Sequence, residues 1–138
     1  MDKNQSNSSK RVTFTGGVRD LKSKEIKRFD NATDAYNDLY HDIHLKLNGS
    51  SSWVKPETKI SDYISKFAPK EDNNDPKSYS NHMVDYFNKR LNSTSISLDS
   101  SLSQIKNALM QKGFDPEHEF TKAHLKIEDP SVLKYLNI

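Results

Sequence analysis

Apolar residues recur at intervals of three and four positions along most of this chain, which predicts helices rather than strands. The clearest run shares one predicted helical face and consists of Ala32, Ala35, Tyr36, Leu39, Tyr40, Ile43 and Leu47. Asp30 or Asn31 can cap the start of this helix, and Asn48-Gly49 is a typical signal for its end. No segment alternates apolar and polar residues over a run long enough to build a sheet.

Aspartate followed by proline occurs before three other stretches with helical spacing. The aspartate side chain can cap a helix, and proline suits the first helical position. These pairs are Asp75-Pro76, Asp115-Pro116 and Asp129-Pro130. Two more helices are predicted, one opened by Pro56 and one capped by Asp99 or Ser100, and Gly113-Phe114 should end the second. The predicted fold class is all-α, with about six short helices in a small irregular bundle.

The first 17 residues differ from the rest in composition. They are rich in Asn, Ser and Lys, and Thr15-Gly16-Gly17 is typical of a hinge. We predict that residues 1–17 form a disordered or extended basic arm and that residues 18–138 form a small helical domain. A short basic helix at the start of that domain is indicated by the spacing of Val18, Leu21, Ile26 and Phe29.

Within the arm, Lys10-Arg11-Val12-Thr13-Phe14 has the pattern of a docking peptide. In an extended strand successive side chains point to opposite faces, so Val12 and Phe14 would point the same way. A peptide that adds to the edge of a partner's sheet gains affinity from main-chain hydrogen bonds and specificity from pockets for alternate side chains. Val12 and Phe14 would fill two such pockets, and Lys10 and Arg11 would favour an acidic rim.

This pentapeptide resembles the RVxF motif by which regulatory proteins hold protein phosphatase type 1. The resemblance covers five of the 138 residues and implies the phosphatase catalytic subunit as a partner. Thr13 follows Arg11 by two positions and is predicted to be a phosphorylation switch, since a phosphate adds about −1.5 to −2 charges and would weaken docking beside acidic groups. The competing interpretation is that Val12 and Phe14 pin a short β-segment onto the chain's own helices.

Composition limits the size of the core and the class of protein. Hydrophobic residues make up 33% of the chain and the mean hydropathy is −0.91, whereas about 45–50% apolar residues is usual. The absence of cysteine excludes disulfides and thiolate metal sites. No window approaches the roughly 18 apolar residues that span a bilayer. The N-terminus lacks the apolar region of a secretory signal, so we expect a cytoplasmic or nuclear location.

The net charge of +2 conceals an uneven distribution. Residues 1–28 hold eight cations against three acids, a net charge of +5, which leaves −3 for the remainder. A basic arm on a mildly acidic body is suited to nucleic acid, anionic lipid or an acidic protein surface. The later cations, Lys89, Arg90, Lys122 and Lys126, are interspersed with acids along the chain, which argues against a helix that reads a DNA groove.

No set of residues indicates catalysis or a cofactor. His41 and His44 could share a helical face and bind a metal, but no third ligand can be assigned, so two partly exposed histidines are the better interpretation. His118 and His124 are six positions apart, whereas the zinc-protease helix needs four. There is no phosphate-binding glycine loop and no recognisable nucleophile motif. We therefore predict a non-enzyme with no catalytic residue, cofactor or metal.

Three functions are consistent with these features. The first is a non-enzymatic regulatory or scaffold protein that docks a protein partner through its N-terminal arm. The second is a small structural subunit of a large multiprotein assembly, held by neighbouring subunits. The third is a nucleic-acid-binding protein that uses the basic arm, which would show steep salt dependence.

Overall fold

Six α-helices make up most of the computed structural model, which describes residues 12–49 and 51–138. They are α1 (Ala32–Leu47), α2 (Ile60–Phe67), α3 (Pro76–Leu91), α4 (Leu102–Gln111), α5 (Pro116–Glu128) and α6 (Pro130–Leu136). A single 3-10 turn, Lys70–Asp72, joins α2 to α3. The predicted all-α fold is therefore confirmed for the described residues.

The predicted aspartate caps form at all three Asp-Pro starts. Asp75, Asp115 and Asp129 each accept a hydrogen bond from a backbone amide in the first turn, at 3.1, 3.1 and 3.2 Å. Asn31 caps α1 in the same way, with its side-chain oxygen 2.8 Å from the amide nitrogen of Asp34. These caps depend on residues within three positions of one another, which is why the local sequence predicts them.

Two predicted helix starts are wrong by a few residues. The second helix begins at Ile60 and not at Pro56, because Pro56 lies in a turn in which Thr58 Oγ1 accepts from the amide of Lys55 at 2.9 Å. The fourth helix is capped by Ser101 instead of Asp99 or Ser100. Ser101 and the Gln104 side chain satisfy each other's backbone amides, so two donors are paired where a single cap would pair one.

The core is built around α5, which contacts α1, α3, α4 and α6. Phe120, Ala123 and Leu125 of α5 are fully buried. The ring of Phe120 lies 4.7 Å from that of Phe87 on α3. Aromatic rings thus pack at the centre of a core in which most of the buried hydrophobic residues are aliphatic.

Residues 14–29 form an irregular β-hairpin, here called the N-terminal hairpin. Phe14 and Phe29 exchange two backbone hydrogen bonds of 2.8 and 2.7 Å, and the amide of Lys27 donates to the carbonyl of Val18 at 2.8 Å. The prediction of a short basic helix here is wrong. Leu21, which the helix would have buried, is 88% exposed, because it lies in the hairpin turn.

The turn of the N-terminal hairpin is fixed by local side-chain and backbone conformation. Asp20 accepts hydrogen bonds from the amides of Lys22 and Ser23 at 2.9 and 3.0 Å. Lys24 has a φ of +66°, in the left-handed region that L-residues seldom adopt. Short-range bonds of this kind compete with a helix, which explains why the spacing of the apolar residues was misleading.

The predicted boundary after residue 17 lies inside the folded domain. Phe14 and Thr15 are only 5% and 6% exposed, so the chain already belongs to the domain at Phe14. Gly16 is not a hinge, because a Cβ atom there would lie 2.6 Å from Cβ of Leu39 on α1. The glycine is needed for close approach to that helix. Residues 1–11 of the predicted arm lie outside the described residues.

Candidate partner-binding site

The predicted docking residues separate into two environments. Lys10 and Arg11 lie outside the described residues. Val12 is 57% exposed and Thr13 is half-buried, whereas Phe14 is buried. Val12 and Phe14 therefore do not form a pair of exposed anchors on one surface, as the docking-peptide hypothesis requires.

Phe14 is engaged by the chain's own structure. Its ring meets the ring of Tyr135 on α6 edge-on, with centroids 5.0 Å apart. Its amide and carbonyl both bond to Phe29, so neither is available to the edge of a partner's sheet. The competing interpretation, in which this segment is pinned onto the chain's own structure, is confirmed for Phe14.

Thr15 and Gly17 are held against the start of α6 and the end of α5. The amide of Thr15 donates to Asp129 Oδ2 at 3.1 Å, and its hydroxyl donates to the carbonyl of Lys27 at 2.6 Å. Gly17 lies against the carboxyl group of Glu128, where a Cβ atom would be 2.5 Å from the carboxyl carbon. The N-terminal hairpin is thus attached to the helical core through both polar and steric contacts.

A buried chain of polar side chains joins α2, α3 and α5. His124 Nε2 lies 2.8 Å from the Tyr63 hydroxyl, and its Nδ1 lies 2.7 Å from the Tyr79 hydroxyl. Tyr79 in turn donates to Glu128 Oε2 at 2.8 Å. Because the Tyr79 hydroxyl has one proton to give, it must accept from Nδ1 of His124. Tyr63 then donates to Nε2, and every member of the chain has a partner.

Burial controls the protonation of this polar chain. His124 has no exposed surface, and burial lowers its pKa to about 3, with a smaller contribution from the charge of Lys46. Burial also raises the pKa of Glu128, against the opposing effect of the hydrogen bond from Tyr79. A neutral imidazole with one donor and one acceptor suits both tyrosines. Since His124 cannot reach solvent, we interpret the chain as a link between helices.

A buried acid near the start of α5, Glu119, faces the end of α3. Glu119 is 2% exposed and accepts two hydrogen bonds from the Arg90 guanidinium at 2.8 and 3.1 Å and one from the Tyr86 hydroxyl at 2.8 Å. Burial disfavours its carboxylate, but the bonds from Arg90 and Tyr86 outweigh burial and lower its pKa. This carboxylate is therefore fully engaged within the protein.

The histidines considered as metal ligands have other partners or lie alone. His44 Nδ1 is 2.8 Å from Glu117 Oε1, which ties α1 to α5. His41 is exposed, and His118 bonds to the hydroxyl of Tyr36. Among the described residues, no three His, Asp or Glu side chains are arranged to hold a metal ion.

The N-terminal hairpin places several cations on the surface. Arg19 and Lys27 pair with acids of the body, at 3.3 Å to Asp72 and 2.6 Å to Asp38. The other three cations are exposed and make no ion pair with any described residue; they are Lys22, Lys24 and Arg28. The turn and the bridging hydrogen bonds fix the backbone that carries them. They form a basic surface outside the predicted docking peptide.

The tertiary structure also gathers cations that are far apart in the sequence. Arg90 from α3, Lys122 and Lys126 from α5, and Lys134 from α6 line one open cavity. The spacing of four between Lys122 and Lys126 could have indicated a shared helical face. The contributions of the other two helices could not be read from spacing, because they depend on how the helices cross.

The fold and surface define a small all-α protein with an attached basic N-terminal hairpin. Comparison with protein-family models, with curated proteins and with solved structures finds no match. Within the described residues, none of the helices has the length and apolar character needed to cross a membrane.

Proposed function

We propose that this chain is a non-enzymatic scaffold protein that holds an acidic protein partner through its basic N-terminal region, residues 10–28. The supporting observation is that Lys22, Lys24 and Arg28 are exposed without an acidic partner among the described residues. Exposed cations of this kind favour a partner with a negative surface potential and increase the rate at which it associates with the chain. The helical core serves as the support that positions them.

Rigidity of the N-terminal hairpin favours binding. Phe14, Thr15 and Gly16 are buried against the core, so the cations that follow are carried by an anchored segment. A surface that is already ordered loses less conformational entropy on binding than a free arm. The basic hairpin thus replaces the free arm as the main element of the proposed interface.

Phe14 is not part of this interface. To enter a pocket of the phosphatase, it would have to leave Tyr135 and Phe29, at a cost of about 3–5 kcal/mol, the range for removing a buried phenylalanine. The proposed contacts are therefore those of Lys10, Arg11 and Val12 together with the hairpin cations. Phosphorylation of Thr13 would add negative charge here and weaken the binding of an acidic partner.

An acidic protein is favoured over nucleic acid by the distribution of charge. Residues 18–29 hold five cations but also two acids, Asp20 and Glu25, for a net charge of +3. The rest of the chain after residue 28 carries a net charge of −3, so averaged over the body it would repel a long phosphate backbone that extended beyond the hairpin. A folded protein partner presents its charges over a limited area and avoids this repulsion.

The test uses charge reversal on the hairpin with a matched control. Lys22→Glu with Arg28→Glu reverses two unpaired hairpin cations, while Lys77→Glu with Lys112→Glu makes the same charge change at two exposed lysines elsewhere. Proteins captured from the native cell extract by the wild type and by the control, but not by the hairpin variant, are partner candidates. Each is then purified and its affinity measured.

We expect the hairpin variant to bind the purified partner at least about tenfold more weakly, equivalent to about 1.4 kcal/mol, with the control within about twofold. The phosphatase catalytic subunit is tested directly in the same way, with Val12→Ala as a further variant. Equal losses in the hairpin variant and the control would reject the proposed interface. Tighter binding to duplex DNA than to any captured protein would favour the nucleic-acid function instead.

A further inference from the structure

An open cavity between α3, α5 and α6 is lined by four cations. Its volume is about 480 Å³, and Arg90, Lys122, Lys126 and Lys134 lie in its walls with Tyr86. The remaining lining residues are Leu133, Asn137 and Ile138, so no acidic side chain faces the cavity. This volume lies within the range of about 300–1,000 Å³ that is usual for small-molecule sites.

Three of these cations make no direct ion pair with any described residue. The nearby carboxylate of Glu119 is held by Arg90 and by the Tyr86 hydroxyl, as described above. Lys122, Lys126 and Lys134 make no ion pair there, and Lys126 instead has its ammonium group 5.9 Å from the centre of the Tyr86 ring. One charge of Glu119 is shared by Arg90 at hydrogen-bond distance and by Lys122 at longer range, so the four cations leave a net positive charge at the cavity.

We propose that this cavity is a binding site for a small polyanion that carries two or more phosphate groups. Three lysines that line one cavity repel each other, and a ligand with several negative charges relieves this repulsion. Lysine acts on phosphate as a mobile point charge with three donors, so it does not need the planar geometry that arginine offers. One phosphate would neutralise only part of the charge.

Each helix has a defined part in this site. Lys122 and Lys126 lie one turn apart on α5 and contribute two charges to the same wall. Lys134 on α6 contributes a third, and Leu133 with Ile138 provides an apolar border. Arg90, fixed by Glu119, closes the end formed by α3. The polyanion site is distinct in its residues from the basic N-terminal hairpin.

Sodium tripolyphosphate is the probe for the test. Isothermal titration at about 50 mM salt should give saturable binding to the wild type, and the affinity should fall at about 300 mM salt as screening increases. Lys122→Gln with Lys126→Gln and Lys134→Gln should weaken binding at least tenfold, that is by about 1.4 kcal/mol. A control with three exposed lysines changed elsewhere, Lys70→Gln with Lys77→Gln and Lys112→Gln, should stay within about twofold.

A second binding measurement identifies the source of the phosphate groups, and a control shows whether the variants remain folded. Phosphatidylcholine vesicles that contain phosphatidylinositol bisphosphate replace tripolyphosphate in one arm; binding there that depends on the three lysines assigns a lipid headgroup, and binding of tripolyphosphate alone assigns a soluble phosphate compound. Circular dichroism confirms that both triple variants remain folded. No binding by the wild type to either probe, or equal loss in the two triple variants, would overturn the proposal.

Discussion

Replacement of Phe14 by alanine distinguishes most sharply between a docking peptide and a residue of the core. In a free arm, Val12→Ala and Phe14→Ala would both leave the free energy of unfolding unchanged. In the structure, Phe14 is 5% exposed and contacts Tyr135, while Val12 is 57% exposed. The two substitutions should therefore have very different effects on stability.

The expected magnitude follows from the buried area and the position of the ring. A buried aromatic side chain removes about 150–250 Å² from water. Truncation of a buried phenylalanine to alanine usually costs about 3–5 kcal/mol. Tyr135, against which Phe14 packs, is itself 67% exposed and can relax toward the space left behind. We therefore expect a loss near the lower limit, about 3 kcal/mol, for Phe14→Ala.

Urea denaturation monitored by circular dichroism measures this loss. Val12→Ala is the matched control and should change the unfolding free energy by less than about 0.5 kcal/mol. Hydrogen exchange gives a second, local measurement, because the amide of Phe29 donates to the carbonyl of Phe14 at 2.7 Å. That amide should exchange faster in Phe14→Ala even if only the N-terminal hairpin detaches.

One result would refute this reasoning. If Phe14→Ala and Val12→Ala have the same denaturation midpoint and leave exchange at Phe29 unchanged, Phe14 contributes nothing to the fold. It would then be available to a partner, and the two-anchor docking peptide would again be the better hypothesis for residues 10–14.

Two further predictions concern the buried polar chain and the hairpin attachment. Burial lowers the pKa of His124 to about 3 from 6.5. The contribution of neutral His124 to stability is therefore complete above pH 6.5 and is lost as the pH falls toward 3, by up to about 1.4 kcal/mol per pH unit. Urea denaturation at several pH values should show that the unfolding free energy of His124→Gln depends less steeply on pH, and an unchanged dependence would contradict this. Gly17 has a φ of +81°, and the Cβ atom of Gly17→Ala would lie 2.5 Å from the Glu128 carboxyl carbon, whereas Gly113 has a φ of +84° with open space around an added Cβ atom. Thermal denaturation should show a loss of stability above about 2 kcal/mol for Gly17→Ala and about 1 kcal/mol for Gly113→Ala. Equal losses would rule out the steric contact with Glu128.

The sequence by itself determined the helices and most of their ends. Asn31 and the aspartates of the three Asp-Pro pairs cap helices as predicted, and Gly113 adopts a φ of +84° while the amide of Phe114 bonds back to Leu109. These features depend on a side chain and on backbone groups a few residues away, so the local sequence contains the whole interaction. Only α2 and α4 start later than the sequence indicates, because other local bonds compete.

Only the tertiary structure decided which apolar and charged residues are available at the surface. Phe14 is buried because it contacts Phe29 and Tyr135, which lie 15 and 121 positions further along the chain. Lys122 and Lys134 face the same cavity because α5 and α6 pack together and α3 closes one side. Contacts of this kind arise from the packing of distant segments, and a pattern of spacing within one segment holds no information about them.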